Sequence, residues 1–284
     1  MLGRLANLRP SFKTFAEADR VPEPVRLSTG TQGPHLVCLA TPVAMGGVYQ
    51  FARLAAHFRG VRSVSAVPMP GFQAGDMLPK DPRAIVAVLV AAIKQAVGDE
   101  PYVLLGYSSA GIIAQACAKA LEKSGLRPAG VILLDTYPVS RADLRRTLKG
   151  ERDEALEDMA AGMLEREEDQ GAFDRTKLTA MARYMELLPW VRPGAISAPS
   201  VLLRPERRLP SALGNATGSG DPDAWRTNWR RADTVRTVSG DHFSIVAEDA
   251  ESTARAIAEW LDTDRKPKRS GMTKRRNASR RADY

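Results

Sequence analysis

A chain of 284 residues, 44% of them hydrophobic, is long enough to bury the core of one large α/β domain, and its two cysteines, Cys38 and Cys117, exclude a disulfide framework. The formal charge of +8 does not mark a nucleic-acid-binding surface: residues 265–284 hold nine basic residues against Asp283, and the rest of the chain balances 32 basic with 32 acidic residues. Three scattered histidines give no metal constellation, and with no signal peptide and no run of about 18 apolar residues the chain reads as a cytoplasmic protein that spans no membrane.

In chain order, residues 1–31 form a lead segment, with Leu2, Leu5, Leu8 and Phe12 at near-helical spacing and Pro10, Pro22 and Pro24 interrupting it as a linker. The main pattern opens at His35 with an apolar strand to Ala40, then a helix from Gly47 to Phe58 and a strand from Val61 to Val67. Asp81-Pro82 supplies an N-cap and a first-turn proline for a helix whose apolar face repeats Ile85, Val88, Leu89, Ala92, Ile93 and Ala96. Strand 102–105, helix 109–124, strands 130–134, 200–204 and 234–238 and a helix from Glu248 to Leu261 follow. This alternation predicts an α/β domain over 32–264, a mainly parallel sheet with helices on both faces. A helical insertion at about 140–193 interrupts it, with apolar stripes at Leu156, Met159, Ala160, Met163 and Leu164 and at Leu178, Met181, Ala182 and Met185. The insertion is expected to lie across the strand ends as a lid, with flexible methionine-rich faces suited to an acyl chain. The Gly/Ser/Pro/Asn-rich stretch from Pro210 to Asp223 is expected to be mobile, and the basic tail 265–284 to be disordered.

The chemistry centres on Leu105-Gly106-Tyr107-Ser108-Ser109-Ala110-Gly111, a serine on a turn between strand and helix. Small residues at 106, 109, 110 and 111 let strand and helix approach closely, so that Ser108 is held exposed at a sharp elbow, close to a Gly-x-Ser-x-Gly pattern. Ser109, next in line, offers its backbone N–H to an oxyanion. A serine nucleophile needs a base. Of the histidines, His35 opens a strand and His57 lies late in a helix, whereas His242 follows the last strand on a Gly240-Asp241 turn. The orienting acid has two candidates in the chain order serine, acid, histidine. Asp135 ends the apolar strand 130–134, while Glu206 follows strand 200–204 beside Arg207 and Arg208, which offer it an ordinary surface ion pair. Asp135 is the better placed, because a residue leaving a buried strand is fixed.

These motifs resemble the thioesterase domains that end modular polyketide synthases, a family of the α/β-hydrolase fold. Leu105 to Leu121 is similar to their nucleophile segment, although they usually carry His where Tyr107 stands and Gly where Ala110 stands. Gly130 to Pro138 resembles their acid-bearing strand, which again favours Asp135. Gly240-Asp241-His242-Phe243, with the helix ending at Trp260-Leu261, resembles their base loop. Leu8 to Phe12 and Pro24 to Leu27 are similar to their entry segment, and Gly46 to Phe51 to the start of their first helix, so the likeness runs from about residue 5 to 262. One departure bears on the oxyanion site. After the first core strand stand Thr41-Pro42-Val43, and Pro42 has no N–H. Related fatty-acyl thioesterases also place a proline and an aliphatic residue here, which assigns the second donor to Val43.

The resemblance implies a chain-terminating thioesterase. It would release a polyketide acyl chain from the phosphopantetheine arm of an acyl carrier protein, through an acyl-serine on Ser108, by hydrolysis or macrolactonisation. It implies no cofactor of the domain's own and no metal, and a homodimer paired through the lead segment. A free-standing editing thioesterase or other serine esterase is the alternative reading, and a catalytically silent docking module a further one; the lead segment argues against the editing enzyme and the unbroken triad against the silent module.

Overall fold

The computed structural model describes residues 2–138, 174–209 and 225–263, so the Leu156–Leu164 stripe, the Pro210–Asp223 stretch and the basic tail lie outside the described residues. Among these the strands are β1 (Ser11–Phe12), β2 (Val25–Ser28), β3 (Gly30–Leu39), β4 (Gly60–Val67), β5 (Leu78–Pro79), β6 (Tyr102–Tyr107), β7 (Gly130–Leu134), β8 (Ser200–Pro205) and β9 (Thr234–Val238). The helices are α1 (Leu2–Ala6), α2 (Ala52–Ala56), α3 (Pro82–Val97), α4 (Ala110–Lys123), α5 (Arg175–Leu187) and α6 (Ala250–Thr263).

Seven strands form one sheet in the order β2-β4-β3-β6-β7-β8-β9, and β1 pairs with β5 apart from it. All pairings in the large sheet are parallel except that of the edge strand β2 with β4. Every residue of β6 and β7 is buried, as a central parallel strand covered on both faces requires. On one face α3 and α4 pack Leu89, Ile93, Ile113 and Cys117 against Val131. On the other, α2 and α6 set Leu54, Ile257 and Trp260 against Ile132. Gly130 makes that second layer possible, since a Cβ there would lie 2.5 Å from the Trp260 ring. The Asp81 cap forms as its sequence demands: its carboxylate accepts from the Arg83 and Ala84 N–H groups at 2.8 and 3.0 Å.

Two sequence expectations are corrected. The helix expected from Gly47 to Phe58 is a 3-10 turn at Val48–Phe51 followed by the five-residue α2. The lead segment is no mere linker, for β2 is a strand of the main sheet, and Phe12 packs with Ala84 and Val88 of α3. Arg9 fastens the segment further, donating to the carbonyls of Thr176, Gly71 and Asp76. Of the apolar residues that suggested pairing between two copies, Phe12 is therefore spent on its own domain; Leu8 stays 79% exposed. On α5 the buried residues are Thr179, Ala180, Tyr184 and Leu187, while Leu178, Met181 and Ala182 are half-buried and Met185 is exposed. The Tyr184 hydroxyl reaches the Pro70 carbonyl at 3.1 Å, and Thr179 satisfies its own hydroxyl on the Arg175 carbonyl at 2.8 Å. Polar atoms met locally let these residues face the core.

The segments around Gly194 and Trp229 are both tied to α4. Buried Gln115 donates to the Gly194 carbonyl at 2.9 Å and accepts the Trp229 indole N–H at 2.7 Å. The helix that begins at the serine turn thus holds both segments.

His35 is structural. It is buried on β3, 3.0 Å from the Ser65 hydroxyl, and burial first, then Arg26, lowers its pKa to about 4. The unfolded chain, with an ordinary histidine near 6.5, binds the proton more readily between these values. Stability held above pH 6.5 is therefore lost as pH falls towards 4. Chemical denaturation at pH 7 and pH 4.5 is expected to show the parent losing about 2 kcal/mol more than His35→Gln. Equal losses in the two proteins would remove His35 as the cause.

Candidate active site

β6 ends at Tyr107, and the next residue, Ser108, adopts φ 54°, a left-handed conformation seldom seen outside glycine. Its N–H donates to the Leu134 carbonyl at 2.8 Å and its carbonyl accepts from Gly111 at 3.0 Å, so the turn is gripped from β7 and from α4. The glycines that flank it are fixed by contact. A Cβ on Gly106 would lie 2.4 Å from the Gly111 Cα, and one on Gly111 would meet the Thr136 hydroxyl at 1.9 Å. The small residue the elbow requires is hence Gly111, and Ala110 is accommodated fully buried in the place where the pattern usually has glycine.

Asp135 follows β7 at φ 42°, with its N–H donating to the Leu203 carbonyl at 2.7 Å. β7 lies between β6 and β8, so the acid leaves the sheet next to the serine. His242 stands on the loop after β9, entered through Gly240 at φ 109°. Asp241 stiffens that loop, its carboxylate accepting from the Phe243 and Ser244 N–H groups at 3.0 Å each. Across the sheet edge His242 Nδ1 lies 2.6 Å from Asp135 Oδ2, with both side chains at least 95% buried. A carboxylate oxygen accepts, so Nδ1 carries the proton and Nε2 is left with a lone pair. Among the described residues Asp135 Oδ1 is buried with no hydrogen-bond partner, which leaves the imidazole as the carboxylate's contact.

The sequence candidates are thus sorted by position. Glu206 follows β8 exposed to solvent, its backbone N–H on the Val238 carbonyl at 2.8 Å, and takes no part in binding His242. His57 is exposed on the turn after α2, and His35 is occupied in the sheet. Among the described residues the Ser108 hydroxyl makes no hydrogen bond. The N–H groups of Val43 and Ser109 also have no acceptor among the described residues. The loop bearing Val43 is drawn tight: Gly46 donates to the Val43 carbonyl at 2.8 Å, and a Cβ on Gly46 would lie 2.2 Å from the Thr41 carbonyl oxygen. One residue to which the sequence pattern assigned no role touches the base. The Tyr107 phenol donates to the His242 carbonyl at 2.6 Å, and its ring lies 5.0 Å from the imidazole. The only signal for it was its place immediately before the serine.

A parallel sheet with a strained serine elbow, a buried acid on the neighbouring strand and a histidine after the last strand defines a serine hydrolase of the α/β-hydrolase fold. The chain belongs to the thioesterase domain family, which it matches over residues 34–261. It is 39% identical over 267 residues to polyketide synthase GfsE of Streptomyces halstedii, covering 91% of this chain. It is 37% identical over 262 residues to the spectinabilin polyketide synthase system protein NorC of Streptomyces orinoci, covering 92% of this chain. The chain spans only 7% and 11% of the lengths of these two relatives. Among solved structures it is similar to the Vlm2 thioesterase domain, at a TM-score of 0.60 and 21% identity, over 84% of this chain and 96% of that one. That likeness bears on the fold. Among the described residues no helix is long and apolar enough to cross a membrane, and no group of three His, Cys, Asp or Glu is placed to hold a metal ion.

Proposed function

We propose that this chain is the chain-releasing thioesterase of a polyketide synthase, acting on an acyl chain carried on the phosphopantetheine arm of an acyl carrier protein. The observation that carries the reading is the buried 2.6 Å pair of Asp135 and His242, one strand over from the Ser108 elbow. In this reading His242 Nε2 takes the Ser108 proton as Oγ bonds to the thioester carbon and the carbonyl electrons move to oxygen. The N–H groups of Ser109 and Val43 hold that oxyanion. When the intermediate collapses, the carbon–sulfur bond breaks and the leaving thiolate takes the proton back from Nε2, leaving acyl-Ser108. Water, or a hydroxyl of the chain itself, then gives its proton to Nε2 as its oxygen attacks the ester. The second collapse returns the proton to Ser108 and frees an acid or a lactone. Asp135 holds the tautomer and stabilises the imidazolium in both halves.

The test is incubation with N-acetylcysteamine thioesters of increasing chain length, with mass spectrometry of protein and product. An acyl mass is expected on the peptide bearing Ser108, with kcat/KM rising by up to about fourfold per added CH₂ over the first carbons, as an apolar acyl site requires. Acylation of another residue would overturn the reading of the nucleophile. A flat length profile would sink the apolar acyl site.

A further inference from the structure

We infer that Tyr107 is a positioning residue for the base, locking His242 in place from the same backbone that sets Ser108. The inference rests on the nucleophile and base assignments just given and adds a tie between the strand that bears the one and the loop that bears the other. Tyr107 is the last residue of β6, paired with Leu134, and its side chain turns to the base loop while its carbonyl leads into the elbow. Its phenol O–H donates to the His242 main-chain oxygen at 2.6 Å. Its ring covers one side of the imidazole, with centroids 5.0 Å apart and planes tilted by 32°, and Phe243 meets the imidazole edge-on at 5.2 Å. Both Tyr107 and His242 are buried, so the hydroxyl and the carbonyl oxygen have exchanged water for each other.

The Asp135 contact alone leaves the imidazole free to swing about the Nδ1–Oδ2 axis and the loop free to shift. A hydrogen bond to the main chain of the same residue removes the loop shift, and the ring removes the swing. Because residues 107 and 108 are consecutive, any movement of β6 carries the serine and the anchor of the histidine together. Relative position is thereby conserved where absolute position is not. A misplacement of about 1 Å between nucleophile and base is enough to cost about 100-fold in rate.

The experiment uses the full chain with Tyr107→Phe, which keeps the ring and removes the donor, and Tyr107→His as a second variant should the first not fold. Steady-state turnover of an acyl thioester, single-turnover labelling by a fluorophosphonate and thermal melting are measured, with Ser108→Ala as control. The Phe variant is expected to fold cooperatively, to hold KM, and to lose about 10- to 100-fold in kcat and in labelling rate together. KM held while kcat and labelling fall together separates positioning from a merely structural loss. Parent-like kcat and labelling rate in a folded variant would overturn the inference, as would a loss confined to melting temperature. Labelling that persists in Ser108→Ala would instead strike the nucleophile assignment itself. Labelling lost in the control but undiminished in the Phe variant strikes only Tyr107.

Discussion

Ser108→Ala is expected to lower thioester turnover by roughly five to six orders of magnitude, while Ser109→Ala retains most activity. The two serines are neighbours, and only geometry separates them. Ser108 is held in the left-handed region at the end of β6, whereas Ser109 already has helical angles as the N-cap of α4, with φ −61° and ψ −23°. What Ser109 can offer an acyl intermediate is its N–H, which alanine keeps. Kinetics of both variants, with intact-mass detection of the acyl-enzyme, decides the matter. An acyl adduct on Ser108→Ala, or a comparable collapse in Ser109→Ala, would reverse the assignment.

Asp135→Asn is expected to cost about four orders of magnitude in kcat, and Glu206→Gln little. The amide N–H₂ of asparagine would donate towards Nδ1 and press the imidazole into the tautomer whose Nε2 carries the proton, leaving no base for Ser108. The environment amplifies the effect, since neither side chain of the pair can turn to water. Glu206 is exposed and bonded to the sheet through its backbone alone, so a neutral isostere there leaves the site as it was. Should Glu206→Gln be the crippled protein, the base would have to accept its orientation from β8, against the geometry of the pair.

The geometry of the candidate site was legible because Ser108 and Asp135 stand where apolar strands stop and His242 follows the last strand. Val103 to Leu105, Val131 to Leu134 and the segment ending at Val238 are unmistakable as strands, and a reactive residue at such an end has its backbone fixed by pairing. Even the choice between two acids followed from surroundings, apolar before Asp135 and basic after Glu206. The orientation of α5 was not legible in the same way. Its most apolar stripe is not its buried one, because Tyr184 and Thr179 satisfy their hydroxyls on Pro70 and Arg175 and so enter the core at little cost. Pro70 is placed by the loop after β4, which no local period reports, whereas Arg175 stands one turn earlier in α5 itself. Tyr107 escaped for a related reason: its acceptor lies 135 residues away, on a main-chain atom that carries no sequence signal.

Ser108 and Asp135 are the non-glycine residues found at positive φ among the described part of the chain, at 54° and 42°. Each such residue costs the folded state about 1–3 kcal/mol that a glycine would not. At Asp135 the buried hydrogen bond to His242 offsets that cost, but the Ser108 hydroxyl bonds nothing among the described residues, so selection for durability alone would drive position 108 towards glycine and erase the chemistry. Descendants relieved of their reaction are expected to drift first at Ser108, and would do so while becoming harder to melt.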